Sequence, residues 1–290
     1  MDKDRLKLIG AVTIFGTVGL VRKSIPYTSA LVACVRGFIG AIFLLIILFL
    51  KKERLKDEGI KQNAALLFGS GIALGANWIL LFEAYRYTSV SVATICYYMA
   101  PVIVIFISPF LFGEKITLKQ VICSIVAVLG MVLVSGVVES GFSGIKGILL
   151  GLSAAVGYAA VITFNKKITG IAASHRTIIQ LGVAAVGLFP YILLTEDFTN
   201  FQMELKPILL LLIAGILHTG VAYALYFGSI RHVPAQTVAL LSYIDPIVAV
   251  LLSAFVLNET LTGLAVVGIV MVIGSAIINE VNFKTNTFSA

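Results

Sequence analysis

The chain has 290 residues, of which 59% are hydrophobic and only 12% charged, with a formal net charge of +7. A soluble domain usually carries about 25% charged residues, and one aqueous core of this length could not hide so much apolar surface, so lipid is the expected solvent. This composition excludes a soluble catalytic domain. The basic residues form no nucleic-acid-binding motif and lie between long apolar runs, where they set topology.

The N-terminus, with Lys3, Arg5 and Lys7 before an apolar run, resembles a signal peptide. No small-residue cleavage site follows, and residues 6–23 read as a retained first helix. Ten apolar segments follow one another at 6–22, 28–50, 62–82, 89–111, 117–138, 145–165, 174–194, 206–228, 235–257 and 262–279. At 1.5 Å rise per residue each reads as long enough to cross a hydrocarbon core of about 30 Å. Several carry close-set small residues, such as "GLSAAVGYAA" from Gly151 and "GIVMVIGSA" from Gly268, which let helices approach in lipid.

Lys and Arg set the orientation. Fifteen of the 21 fall on one side: Lys3, Arg5, Lys7, Lys51, Lys52, Arg54, Lys56, Lys61, Lys115, Lys119, Lys166, Lys167, Arg176, Arg231 and Lys284. Arg22, Lys23, Arg86, Lys146 and Lys206 fall on the other, and Arg36 lies inside the second segment. The positive-inside rule then predicts a multi-pass protein of the cell membrane with both termini cytoplasmic.

The sequence repeats itself. "FEAYRYTSVSVATICYYMAPVIVIFISPFLFGEKIT" from Phe82 aligns with "FGSIRHVPAQTVALLSYIDPIVAVLLSAFVLNETLT" from Phe227. Identities fall at Phe82/Phe227, Arg86/Arg231, Tyr98/Tyr243, Pro101/Pro246, Ser108/Ser253, Phe110/Phe255, Glu114/Glu259 and Thr117/Thr262. Two halves, 1–140 and 141–290, each of five spans, must enter the membrane in opposite orientations, the inverted-repeat design of many secondary transporters. The expected fold is an all-α integral membrane protein of ten transmembrane helices, arranged as two inverted five-helix repeats.

These segments, with "ANWILLFEAYRYTSVSVATICYYMAPV" from Ala76, "FGEKIT" from Phe112 and "GIVMVIGSAIINE" from Gly268, make the chain resemble the EamA-type proteins of the drug/metabolite transporter superfamily. The resemblance covers nearly the whole chain. It implies two five-helix halves around a central cavity, and export or uptake of metabolites, amino acids or small drugs; it does not name the substrate.

Asp245 lies mid-span directly before Pro246. A carboxylate there is costly in hydrocarbon and should face the bundle interior, as a contact for a substrate or cation, a proton-titratable group or an interhelical partner. Pro101 and Pro246 remove a backbone donor and break their helices, which makes them candidate gating points. Arg36 is a candidate partner of Asp245 or clamp for a substrate carboxylate, unless it snorkels; its approximate repeat mate is Gln180. His218, Asn77 and Trp78 are candidate cavity-lining residues, as are Tyr97, Tyr98 and Tyr243, whose rings could stack on a flat or cationic solute. Tyr158, Tyr223 and Tyr226 are also mid-span, whereas Tyr85, Tyr87 and Tyr191 sit nearer segment ends and fit interface anchors. Glu83 should pair with Arg86 three residues on. Glu114 and Glu259 should cap the helix that follows each of them.

An amino acid fits this set best, with Asp245 on the amine and Arg36 on the carboxylate; an organic cation or drug is the alternative. A membrane scaffold or a channel fits less well, because buried charges argue against the first and no repeated filter is present for the second. An interfacial enzyme would need a partner for His175 and Arg176 that the sequence lacks. The expected partners are the bilayer, a small-molecule substrate and, as a candidate coupling ion, the proton. A monomer is the expected working unit, with a dimer left open. No cofactor, nucleotide or metal is implied: there is no GxxxxGK[ST] loop, and Cys34, Cys96 and Cys123 are spaced as packing residues.

Overall fold

The computed structural model describes residues 3–53, 55, 58–113, 115–136, 138, 144–196, 204–229, 233 and 241–280. The helices are α1 (Lys3–Gly16), α2 (Val18–Lys23), α3 (Ser29–Leu50), α4 (Gly59–Gln62), α5 (Ala64–Tyr87), α6 (Val90–Tyr97) and α7 (Ala100–Phe112). They continue with α8 (Leu118–Val134), α9 (Ile145–Lys167), α10 (Ala173–Thr195) and α11 (Leu205–Gly215). A π-helical turn, Ile216–Val221, joins α11 to α12 (Ala222–Ser229), and α13 (Ile244–Phe255) and α14 (Gly263–Glu280) follow. Among the described residues six runs are long and apolar enough to cross a membrane: Ser29–Leu50, Ala64–Tyr87, Val90–Phe112, Ile145–Lys167, Ala173–Thr195 and Leu205–Phe227. α8, α13 and α14 are shorter apolar helices. Phe49, Phe110, Leu194 and Phe255 are each at least 79% exposed, a surface that water would not tolerate and lipid does.

Side-chain oxygens begin several of these helices. Thr28 accepts from the Leu31 N–H, Ser89 from Val92 and Thr262 from Ala265. Thr117 and Gln120 form a reciprocal capping box at the start of α8. Each cap satisfies a donor that has no partner within its helix.

Among the described residues four of the expected spans are interrupted, the one at 235–257 at Tyr243. The first breaks between α1 and α2 at Thr17, whose hydroxyl donates to the Ile14 carbonyl at 2.8 Å. The expected span at 206–228 carries the π-turn, a feature that concentrates at functional sites. The one at 89–111 splits at Tyr98–Met99. Pro101 is the second residue of α7 and Pro246 the third of α13. A first-turn N–H has no intrahelical acceptor in any case, so each helix restarts just upstream of its proline. Neither proline supplies an N–H to the carbonyl four residues before it, that of Tyr97 or Ser242.

Packing crosses the chain. α9 lies against α5 and α6, and α1 against α12 and α13; α3 pairs with α10 and α8 with α14. In lipid such contacts rest on close approach and not on hydrophobic collapse. A Cβ on Gly130 would stand 2.7 Å from the Gly268 carbonyl oxygen, so α8 and α14 meet backbone to backbone. Gly16 does the same for α1 and α13, where a Cβ would stand 2.6 Å from the Asp245 carbonyl oxygen.

Candidate functional site

Asp245 is on the inner face of α13. It shares that face with buried Ala249 and Ser253, opposite the exposed Ile247, Leu251 and Phe255. Its carboxylate faces the Tyr98 hydroxyl, within polar reach, at the break between α6 and α7. The two helix breaks therefore meet: the tyrosine of one lies beside the acid of the other.

Arg36 projects from α3 and is 5% exposed, so it does not snorkel. Its Nε donates to the Thr219 hydroxyl at 2.7 Å, and Thr219 donates in turn to the Ala214 carbonyl at 3.1 Å. The guanidinium lies 4.4 Å from the Trp78 ring centroid and 5.6 Å from that of Phe82. Stacking on aromatic faces compensates a desolvated cation without neutralising it. Arg36 and Asp245 sense each other through space but form no ion pair within 4 Å among the described residues. Tyr85, Tyr97 and Tyr223 each feel both charges. Two opposite charges thus share one aromatic environment while staying apart.

The tyrosines form two stacks. Tyr97 lies on Tyr158, with centroids 5.0 Å apart, and edge-on to Tyr98 at 5.9 Å. Tyr223 contacts Phe15 at 5.2 Å and Phe227 at 5.8 Å. Asn77 is completely buried. It interacts with Tyr97, yet neither amide atom reaches a partner at hydrogen-bond geometry among the described residues. A buried amide is costly unless water or a bound solute meets it. His218 belongs to the π-turn. Its Nε2 is 2.7 Å from the Thr17 hydroxyl and its Nδ1 is 3.3 Å from the Ile213 carbonyl. The break in α1 and the irregular turn of another helix are therefore bonded to each other.

Tyr243, with Tyr98 and Pro101, lines a small cleft of about 30 Å³ between α7, α8 and α14. Glu83 pairs with Arg86 at 3.1 Å, as its spacing predicts. Glu259 does cap a helix, but not the one that follows it. It accepts from the Val90 N–H at 2.8 Å, at the start of α6, and also binds Ser253 and Lys23. Thr262 already caps α14. Glu114 lies outside the described residues. Tyr85, expected at an interface, is buried in the core, and its hydroxyl is 3.5 Å from that of Thr94. Cys34, Cys96 and Cys123 are buried free thiols.

Three participants escape a reading of the sequence: Phe82, Thr219 and Arg22. Phe82 is visible there only as a repeated identity with Phe227, and Thr219 as a neighbour of His218. Arg22 counts among the loop charges, although it is 5% exposed.

The model of the EamA-like transporter family matches this chain twice, over residues 6–136 and 145–280. The chain belongs to that family. It is a multi-pass membrane protein and an EamA/DMT-superfamily secondary transporter of small metabolites. An uncharacterized transporter, YxxF, of Bacillus subtilis is 27% identical over 253 residues, covering 85% of this chain and 79% of its own. An uncharacterized transporter of Archaeoglobus fulgidus is 27% identical over 276 residues, covering 93% and 94%. A probable amino-acid metabolite efflux pump of Escherichia coli is 27% identical over 230 residues, covering 74% and 76%. A solved crystal structure superposes with a TM-score of 0.67 at 18% identity, covering 96% of this chain and 97% of that one. That likeness concerns the fold.

Proposed function

We propose that this EamA-like chain carries amino acids or closely related amine-and-carboxylate metabolites by alternating access. Two inverted five-helix halves, 1–140 and 141–290, would supply ten spans around a central cavity, with both termini cytoplasmic and one chain as the working unit. The swapped packing supports the inverted arrangement: the first helices of each half, α1 and α9, lie against the third and fourth segments of the other.

One observation carries the substrate reading. Arg36 and Asp245 are opposite charges in one aromatic environment, held apart and not neutralised by each other. The terminal nitrogens of Arg36 make no hydrogen bond among the described residues. They suit a carboxylate, for which guanidinium geometry is well matched. Asp245, facing Tyr98, suits an ammonium group. A zwitterion would satisfy both at once. The relatives named as amino-acid metabolite efflux pumps point the same way. A carboxyl group that can exchange its partner also offers a seat for a coupling proton.

Proteoliposome uptake of matched probes tests this reading: an amino acid, its decarboxylated amine and its deaminated acid. The amino acid should be transported best. Arg36→Gln should lower its uptake roughly 30-fold, about 2 kcal/mol for a stacked, hydrogen-bonded cation. It should leave the amine nearly unaffected. Equal loss for all three probes would reject Arg36 as a carboxylate contact. Preference for the bare amine, insensitive to Arg36, would favour an organic-cation carrier.

A further inference from the structure

Away from the tyrosine stacks, a cavity opens where α2, the turn before α3 and the C-terminal end of α5 meet. It has a volume of about 430 Å³, and its lining includes Arg22, Lys23, Tyr27, Phe82, Tyr85 and Arg86. Among the described residues, three cations and no acid line it. Two of the cations are already paired, Lys23 with Glu259 at 2.5 Å and Arg86 with Glu83 at 3.1 Å. Arg22 has no carboxylate in ion-pair contact among the described residues. It donates to the Ile25 carbonyl at 2.9 Å and to the Ser29 hydroxyl at 3.0 Å, and Ser29 in turn donates to Glu83 at 2.8 Å. Its buried Nε–H has no acceptor among the described residues.

Phe82 relates this cavity to Arg36. Its ring lies 5.8 Å from the Arg22 guanidinium and 5.6 Å from that of Arg36, and it is 1% exposed. One ring therefore stands between two arginines, one in the cavity wall and one beside Trp78. A buried guanidinium with an idle N–H in a basic pocket is a receptor for an oxyanion. A carboxylate passed from one arginine to the other would have only this ring to cross.

We propose that this cavity is a second binding site, an oxyanion site occupied by the carboxylate of a solute, with Arg22 as its cation and Phe82 as the partition from the Arg36 site. The relay rests on the amino-acid reading above; the cavity site itself does not. The ring must turn aside for passage, and Trp78 and Phe82 keep Arg36 shielded until it does.

The chain has a single tryptophan, Trp78. It stacks on Arg36, so its fluorescence reports on the inner site alone. The test uses the full chain in phosphatidylcholine nanodiscs with 4-fluorobenzoate, followed by 19F NMR for total binding and by Trp78 emission for the inner site. In an Arg36→Gln background the Trp78 response should vanish while NMR-detected binding persists. Adding Arg22→Gln should then weaken that binding roughly tenfold or more, as expected when a charged hydrogen bond is lost. Binding within twofold of the parent would overturn the proposal. Should the Arg22 variants not fold, the Arg36→Gln protein still decides, because 4-fluorobenzylamine must displace cavity-bound 4-fluorobenzoate far more weakly than unlabelled benzoate does, and equal displacement overturns it. A second set of nanodiscs contains phosphatidylglycerol. Displacement of fluorobenzoate there assigns the site to a lipid headgroup and overturns the relay, whereas persistence supports it. A Trp78 signal unmoved in the unmodified protein, with cavity binding intact, counts against the Arg36 role in the proposed function and leaves the cavity site standing.

Discussion

The two helix breaks are built alike and used differently. Each has a tyrosine at the break, Tyr98 or Tyr243, and a proline in the first turn of the new helix, Pro101 or Pro246. The residue before the proline is Ala100 in one and Asp245 in the other. Ala100 is wholly buried against Ala127, Ala155 and Ala159, whereas Asp245 has the Tyr98 hydroxyl and a cluster of aromatic rings around it. The tyrosine and proline build the break, and the residue between them decides what the break does. The same contrast holds elsewhere. Arg36 stacks on Trp78, while its approximate repeat mate Gln180 is held in an uncharged network, donating to Ser70 at 2.7 Å and Asn165 at 2.6 Å. At these two positions the halves share a scaffold and differ by a charge.

The comparison can be broken most severely by Ala100→Asp. It puts a carboxylate into a packed alanine cluster without a hydrogen-bond donor, at a cost of about 3 kcal/mol or more. Detergent thermal denaturation should show that loss, and a stable, folded Ala100→Asp protein would mean that the first break has hidden polar capacity. The converse change, Asp245→Ala, makes the second break resemble the first. It should leave stability within about 1 kcal/mol, since removing a buried charge offsets the lost polar contact, yet reduce proteoliposome transport roughly 100-fold. Near-normal transport would sink the functional half of the contrast.

Gly16→Ala presses on the second break from outside, because its Cβ would meet the Asp245 carbonyl oxygen and Val248. A destabilisation of about 2 kcal/mol is expected. Gly10→Ala on the same helix, with no heavy atom within 4 Å of the new Cβ, should be neutral or slightly stabilising, and melting curves of the pair make the check. The smallest effects belong to the repeated caps. Thr117→Ala dismantles a reciprocal box and should cost about 1 kcal/mol, whereas Thr262→Ala removes a single bond and should cost about half as much.

Much of the scaffold is legible because local chemistry determines it. Thr28, Ser89 and Thr117 start their helices where the sequence places them, since a cap is a contact between residues two or three apart. The Glu83–Arg86 pair is legible for the same reason. Asp245 and Arg36 stand out because charge in an apolar span is costly enough to require a reason. Legibility ends where contacts cross the chain. Glu259 looks like a local cap and instead holds the first turn of α6, a partner 169 residues away. The π-turn has no local signature here, because its Thr219 and His218 are bound by Arg36 and Thr17 from other helices. Arg22 is easily misread because a cation beside Lys23 at a segment end fits the topology rule equally well whether it faces water or is buried.

The crossing of α8 and α14 through Gly130 and Gly268 has a consequence in time. The two glycines are about 140 residues apart, and synthesis at roughly 5–20 residues per second separates their emergence by about 7–30 s. Through that interval the face of α8 that receives α14 lacks its final partner. The protein must therefore hold an unfinished seam in the bilayer for longer than most folding steps take, and a companion helix of another nascent chain that found this face first would trap it.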